Sequence, residues 1–343
     1  MTTNLKVTEM TIHVQLLRDT WQIKTIDNKK QEVIMLVNLK EILHIAEARK
    51  IAIGSFNTPN LESVQAVIGA AEELDVPVII MHAEVHEEIC PINIIGKVMI
   101  QCAKDAKVPV CVHLDHGEHL DYLNKALEIG FTSVMYDGSA LPYEENVANT
   151  CIAVSLARKK GASVEAEIGT LGKRELGYRE DSKNTADEPK QVYTNPYDAE
   201  RFVKETGIDA LACSFGTAHG LYLTKPKLDM NVLDEIKKRV NVPLVMHGGS
   251  GVSEDDYRTV ISKGIRKINY YTYMAKAGGE NIEQHFKVSS FPVKKDGKEY
   301  SVYYTVVEKG KEKPIYYHDI VNWGIKAMKE NVLKALRVFS GKC

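Results

Sequence analysis

At 343 residues the chain is longer than most single domains, yet α/β barrels reach this size as one unit, so one large domain with additions is the expectation. Its 44 Lys and Arg against 46 Asp and Glu leave a formal charge of -2, which offers no field to draw nucleic acid or a membrane surface and points to a small-molecule partner. The six cysteines include no CxxC pair, no apolar run approaches a membrane span, and the first residues lack a basic-then-apolar signal pattern; together these predict a cytoplasmic protein with reduced core thiols.

Residues 1–34 are mixed and polar, with Asp27-Asn28-Lys29-Lys30 as a turn-like charged cluster. From Met35-Leu36-Val37-Asn38 onward the pattern changes, and Asn38 is placed to cap a helix carrying Leu39, Ile42, Leu43 and Ala46 on one face. Strands and helices then alternate. Strands are predicted at Ile51–Phe56, Val76–Met81, Val108–Val112, Thr132–Tyr136, Ala162–Ile168, Ala210–Phe215, Val242–Met246 and Ile265–Tyr270. Helices are predicted at Leu61–Leu74, Ile94–Ala106, Leu120–Ile129, Glu144–Lys159, Ala199–Thr206, Val232–Arg239 and Glu254–Lys263. A polar stretch over 169–195 interrupts the rhythm. Eight near-continuous Val/Ile/Leu strands alternating with helices predict a parallel (β/α)8 barrel of the α/β class over residues 35–343, and the first strand lacks the glycine fingerprint of a dinucleotide-binding sheet. After the eighth strand, Asp296-Gly297 and the β-branched and aromatic run Ser301–Val307 predict a β-hairpin arm within 291–317, followed by an amphipathic helix over Ile320–Val338.

Chemistry-bearing residues gather where strands end, which in a barrel is the catalytic rim. The run Val112-His113-Leu114-Asp115-His116-Gly117 finishes a buried strand in a carboxylate, an imidazole and a glycine. Two more strands end in histidine followed by glycine, within Gly216-Thr217-Ala218-His219-Gly220 and His247-Gly248-Gly249-Ser250-Gly251. Three rim imidazoles, His116, His219 and His247, suit a catalytic zinc with open coordination for substrate oxygens. The glycine-rich turn at 248–251 suits a phosphate held by backbone N–H groups. Carboxylates complete the set: Asp137 follows the fourth strand, and Glu165 and Glu167 share one face of the fifth, where they require a metal or a basic partner. Glu175 lies beyond Gly169-Thr170-Leu171-Gly172, a loop able to swing it over substrate as a general base.

In these motifs the chain resembles the zinc-dependent class II ketose-bisphosphate aldolases, over nearly the whole span from Met35 to Val338. His113-Leu114-Asp115-His116-Gly117, Val164-Glu165-Ala166-Glu167-Ile168-Gly169 running to Glu175, the two histidine-glycine motifs and Lys267-Ile268-Asn269 occur in the family's order. The resemblance implies that His116, His219 and His247 bind Zn2+, and that Asp115 exchanges the proton of the hydroxyl beside the scissile bond. It implies that Glu175 handles the proton at the dihydroxyacetone phosphate carbon, and that Asp137 and Glu167 hold the metal in an alternative site. Gly220, Gly248, Ser250, Asn269 and Thr272 match positions around the donor phosphate and a monovalent cation (Na+ or K+). It implies reversible cleavage of a phosphorylated ketose through a zinc-stabilised enediolate, in a homodimer or homotetramer.

The departures fall on the acceptor side. Tyr271 stands where fructose-type enzymes carry an aspartate and tagatose-type enzymes a small residue, Ala83 replaces a usual serine, and Lys173 and Arg174 flank Glu175 where glycine and acidic residues are usual. An alternative reading is a barrel that binds metal and sugar phosphate as a sensor or assembly subunit without turnover, but both Asp115 and Glu175 are kept. A metal-dependent hydrolase is disfavoured by the phosphate turn and the motif order.

Residues 1–34 form an N-terminal extension, and translation is expected to begin at Met35 instead. The back-translation of Gln31-Glu32-Val33-Ile34-Met35 admits AGGAGG a few nucleotides before an ATG, the arrangement of a bacterial ribosome-binding site. The alternative is an N-terminal arm over the barrel floor or a subunit contact. Intact mass of the protein made from its native locus decides: a species starting at Met35 is expected, and one starting at Met1 rules this out.

Overall fold

The computed structural model describes residues 35–169, 193–218, 220, 226–285, 288–295, 297–305 and 315–342. The extension 1–34 lies outside them. Eight parallel strands close into a barrel: β2 (Ile53–Asn57), β3 (Val78–Ala83), β4 (Val110–Gly117), β5 (Ser133–Tyr136), β6 (Ser163–Ile168), β7 (Ala210–Cys213), β8 (Leu244–Met246) and β9 (Ile265–Tyr270). Each pairs with the next, and β9 pairs back onto β2 at Gly54↔Ile268 to shut the sheet. The predicted (β/α)8 barrel is the observed architecture. The earlier β1 (Leu36–Val37) pairs with the start of β4 at Leu36↔Val110, and Thr132 Oγ1 donates to the Val37 carbonyl at 2.7 Å.

Helix α1 (Leu39–Arg49) begins at Asn38, whose side chain accepts from the Glu41 N–H while the Glu41 carboxylate accepts from the Asn38 N–H. Its buried face, Leu39, Ile42, Leu43 and Ala46, enters the bottom of the barrel and packs with Ile53, Ile79, Met81, Cys111, Met135, Ala210, Ala212 and Val245. The lumen therefore has a solid apolar floor, and chemistry is confined to the opposite mouth. The other face of each strand packs on the outer helices: α2 (Leu61–Leu74), α3 (Ile92–Asp105), α4 (Leu120–Ile129), α5 (Tyr143–Lys159), α6 (Pro196–Thr206), α7 (Met230–Arg239) and α8 (Glu254–Ser262). Helix α3 starts two residues before its predicted position, because Pro91 opens it and the Glu87 carboxylate accepts the Ile92 N–H at 2.8 Å.

Three departures follow β9. Helix α9 (Thr272–His285) occupies a stretch for which periodicity predicts no helix, since Gly278-Gly279 interrupts it. Gly278 has a packing reason: a Cβ there would meet Met328 Cγ at 3.0 Å, so its absence lets α9 lie close against α10 (Tyr317–Ser340). The hairpin begins at β10 (Val288–Lys295), earlier than expected, and returns as β11 (Lys298–Thr305) across the Gly297 turn, with Lys295 facing Lys298. Helix α10 begins at Tyr317, three residues ahead of Ile320, because the Tyr316 N–H is received by Asp319 at its start. No helix among the described residues is long and apolar enough to cross a membrane.

Above the apolar floor the lumen turns polar. His113, Glu165, His247 and Lys267 are wholly buried; Glu165 meets Lys267 Nζ at 2.9 Å through one oxygen and His247 Nε2 at 2.8 Å through the other. Lys267→Met strands the Glu165 charge without its cation and is expected to destabilise the fold by about 3–5 kcal/mol. Pairing it with Glu165→Leu should recover most of that loss. Denaturant midpoints of the two variants provide the check, and equal destabilisation by both would show that the ion pair is not what the lumen depends on.

Candidate active site

Successive residues of a strand point to opposite faces, so a regular β4 would turn Asp115 into the lumen and His116 out of it. The pairing of β4 with β5 slips between Leu114 and Gly117, and His116 adopts φ +43°, a left-handed conformation rare for a residue with a Cβ. This irregularity turns both side chains to the same mouth. Gly117 completes it, since a Cβ there would meet the Met135 carbonyl at 2.8 Å.

Asp115 is held by two amides: Asn57 Nδ2 donates to one carboxylate oxygen at 2.9 Å and Asn269 Nδ2 to the other at 3.0 Å. Burial works to raise its carboxyl, but His116, His247, Lys267 and the Asn57 hydrogen bond outweigh burial and hold it well below the usual carboxylate range. His116 lies between two partners, Nδ1 at 2.6 Å from Asp137 and Nε2 at 2.9 Å from His247 Nδ1. Burial disfavours its charge, yet Asp115 and the hydrogen-bonded Asp137 push it up to about 10. Asp137 is fixed in turn by the Ser139 N–H and hydroxyl, at 3.1 and 2.7 Å. Glu167 is 1% exposed, and its Oε2 finds no hydrogen bond among the described residues. Burial first, and the Asp137 charge second, push its carboxyl well up.

Two sets of ligand atoms thus converge within 4.8 Å: Asp115, His116 and His247, and His116, Asp137 and Glu167. Facing imidazole nitrogens, ionised carboxylates and a buried carboxylate oxygen without a donor form a site that suits a divalent cation of zinc type. Of the expected ligands the structure brings together His116, His247, Asp137 and Glu167; His219 lies outside the described residues, as do Glu175, Lys173 and Arg174.

The remaining candidates line the same mouth. Gly248 has φ +62° and Gly251 φ +87°, and Gly220 has φ +95°. The turn is bound to β9: the Gly249 N–H donates to the Asn269 carbonyl at 3.0 Å, and Ser250 Oγ accepts from the Tyr271 N–H at 3.0 Å. The start of α8 is already capped by Ser253 and crowded by Glu254, Asp255 and Asp256, so an anion is better served by the glycine turn than by that helix. Asn269, expected near the phosphate, has its amide committed to Asp115 and Lys267. Thr272 is the first residue of α9, and Ala83 ends β3 opposite Asp115. Periodicity did not single out Asn57 or His86. Asn57 ends β2 and was open to the strand-end rule; His86 sits in a 3-10 turn (Glu84–His86) just beyond β3, where no period marks it.

The sequence profile of the family described as fructose-bisphosphate aldolase class-II matches residues 37–342. Among relatives, the D-tagatose-1,6-bisphosphate aldolase subunit GatY of Klebsiella oxytoca is 38% identical over 254 residues, which span 74% of this chain and 87% of that protein. Among solved structures, the YdjI aldolase of Escherichia coli K12 superposes with a TM-score of 0.71 at 30% identity, covering 89% of this chain and 97% of that one. The fructose-bisphosphate aldolase of Campylobacter jejuni shares the fold, with a TM-score of 0.68 at 23% identity over 89% and 96% of the two chains. The chain belongs to the class-II fructose-bisphosphate aldolase family and is an aldolase, a carbon–carbon lyase.

Proposed function

We propose that this aldolase is zinc-dependent and reversibly cleaves a phosphorylated ketose to dihydroxyacetone phosphate and an aldehyde. The observation that carries the reading is the Asp115 carboxylate, held by two amides beside the facing nitrogens of His116 and His247. His116 and His247, with His219, are the proposed metal ligands, and Asp137 and Glu167 offer a second position. A zinc ion held there supplies Lewis-acid polarisation of a ketone oxygen, which removes the need for a Schiff-base lysine. Lys267 is accordingly committed to Glu165.

Asp115 acts as the base that takes the proton from the hydroxyl beside the scissile bond, and returns it in the condensation direction. Its two amide partners leave the carboxylate ionised and fixed in direction. Glu175 is assigned the proton at the dihydroxyacetone phosphate carbon. The turn Gly248–Gly251, with Gly220, Asn269 and Thr272, is assigned the donor phosphate and a monovalent cation. A homodimer or homotetramer is the proposed assembly.

Replacement of His116 or His247 by Ala should abolish both bound zinc, read by metal analysis, and turnover, while the circular dichroism of the barrel is kept. Full activity in such a variant after chelation would eliminate the zinc reading. Asp115→Asn should retain zinc and lose rate by about 10^2- to 10^4-fold, because an amide cannot exchange the proton.

The acceptor half is proposed to differ from that of both fructose and tagatose bisphosphate enzymes, because Tyr271 is bulky and uncharged and Lys173 and Arg174 add cations near Glu175. Release of dihydroxyacetone phosphate from a panel of ketose mono- and bisphosphates, with and without chelator, tests this. Fructose 1,6-bisphosphate emerging as the best substrate by a wide margin would refute it.

A further inference from the structure

Beyond β3 the chain makes a tight turn that closes one side of the mouth, and its construction is unusually firm. Glu84 accepts from the Glu118 and His119 N–H groups at 2.9 and 3.3 Å and meets His119 Nδ1 at 2.7 Å, which ties the turn to the loop after β4. Glu87 accepts from Tyr122 Oη at 2.6 Å and from Lys125 Nζ at 3.0 Å while it caps α3. The Ile89 and Cys90 N–H groups both return to the His86 carbonyl. His86 is thus presented from a backbone fixed at both ends.

His86 is 9% exposed, and its ring lies 5.1 Å from the Tyr271 ring, at the position where this chain departs from the acceptor-reading residues of its family. His86 Nδ1 is buried and has no hydrogen bond among the described residues. A buried polar nitrogen without a partner is costly unless something else supplies one. The neighbouring His82 does not: Tyr122 gives its own proton to Glu87, so it accepts from His82 Nε2 at 3.1 Å, and the rings of His82 and His86 meet edge to face at 6.2 Å. Burial also keeps the His86 ring neutral, lowering its pKa against the pull of Asp115. A neutral imidazole offers one donor and one acceptor, the complement of a hydroxyl rather than of a phosphate.

Resting on the reading that dihydroxyacetone phosphate is the donor, we propose that His86 is a specificity-determining residue of the acceptor side: with Tyr271 as its wall, it hydrogen-bonds a hydroxyl of the aldehyde half, and so selects hydroxylated aldehydes.

The test uses the full-length zinc-loaded protein and three acceptors of equal carbon number, propanal, lactaldehyde and glyceraldehyde, condensed with dihydroxyacetone phosphate. Solvent deuterium exchange into dihydroxyacetone phosphate alone is measured beside them as the acceptor-free reference. Wild type should favour the hydroxylated acceptors over propanal in kcat/KM. In His86→Ala that preference, relative to exchange, should fall by about 10- to 100-fold, the worth of one hydrogen bond in a buried site. His86→Gln keeps a donor and an acceptor and should restore part of it, which a merely structural role would not produce. A preference unchanged in His86→Ala, or equally lost in His86→Gln, overturns the assignment. A wild type that exchanges no deuterium and condenses no acceptor overturns the donor reading itself, and the His86 assignment with it.

Discussion

The mouth of this barrel depends on one buried ion pair. Lys267 neutralises Glu165 in a lumen where neither side chain reaches water, and only because it does so can Glu165 spend its second oxygen on His247 Nε2. That contact fixes the ring of His247 and leaves Nδ1 to face His116. His116 is oriented in the same manner from behind by Asp137, which Ser139 holds. Both His116 and His247 are therefore aimed by a carboxylate, and each of those carboxylates by a further donor, the arrangement by which proteins set ligand direction and basicity.

Much of this was legible in the residues and part was not. The barrel could be read because its strands are nearly continuous apolar runs, and Asp115, His116, Asp137 and His247 could be found because they stand where those runs stop. The floor helix was legible from Asn38 and its apolar stripe, although no period says that the stripe enters the lumen rather than the outer shell. Period two assigns Asp115 and His116 to opposite faces, and only the left-handed backbone at 116 overrides it. Lys267 was visible in its motif, but its partner lies 102 residues away across the barrel, a distance over which spacing carries no information. Helix α9 was hidden by Gly278-Gly279, of which Gly278 is the one that lets it pack.

The two sides of the mouth are built differently. The side bearing the glycine turn is made of backbone, with Gly248 and Gly249 packed so closely on Ala218 and Asn269 that a side chain at either would collide. Such a surface is set by the chain trace and changes little when residues change. The stretch from Ala83 through the 84–86 turn to the Tyr271 ring presents side chains on a fixed frame, so single substitutions there alter shape and hydrogen bonding without disturbing the strands.

The closing seam has a consequence for how the protein is made. Strand β2 pairs with β9 more than 200 residues later, and the Ala52 N–H beside it is satisfied only by the Phe339 carbonyl near the end of α10. During synthesis the first strand must therefore wait, with one edge open, until almost the whole chain has left the ribosome. Contacts so remote in sequence form slowly, and an open strand edge is a template for association with other chains. The last two dozen residues act as the latch, and a chain that loses them leaves that edge without its closing contact.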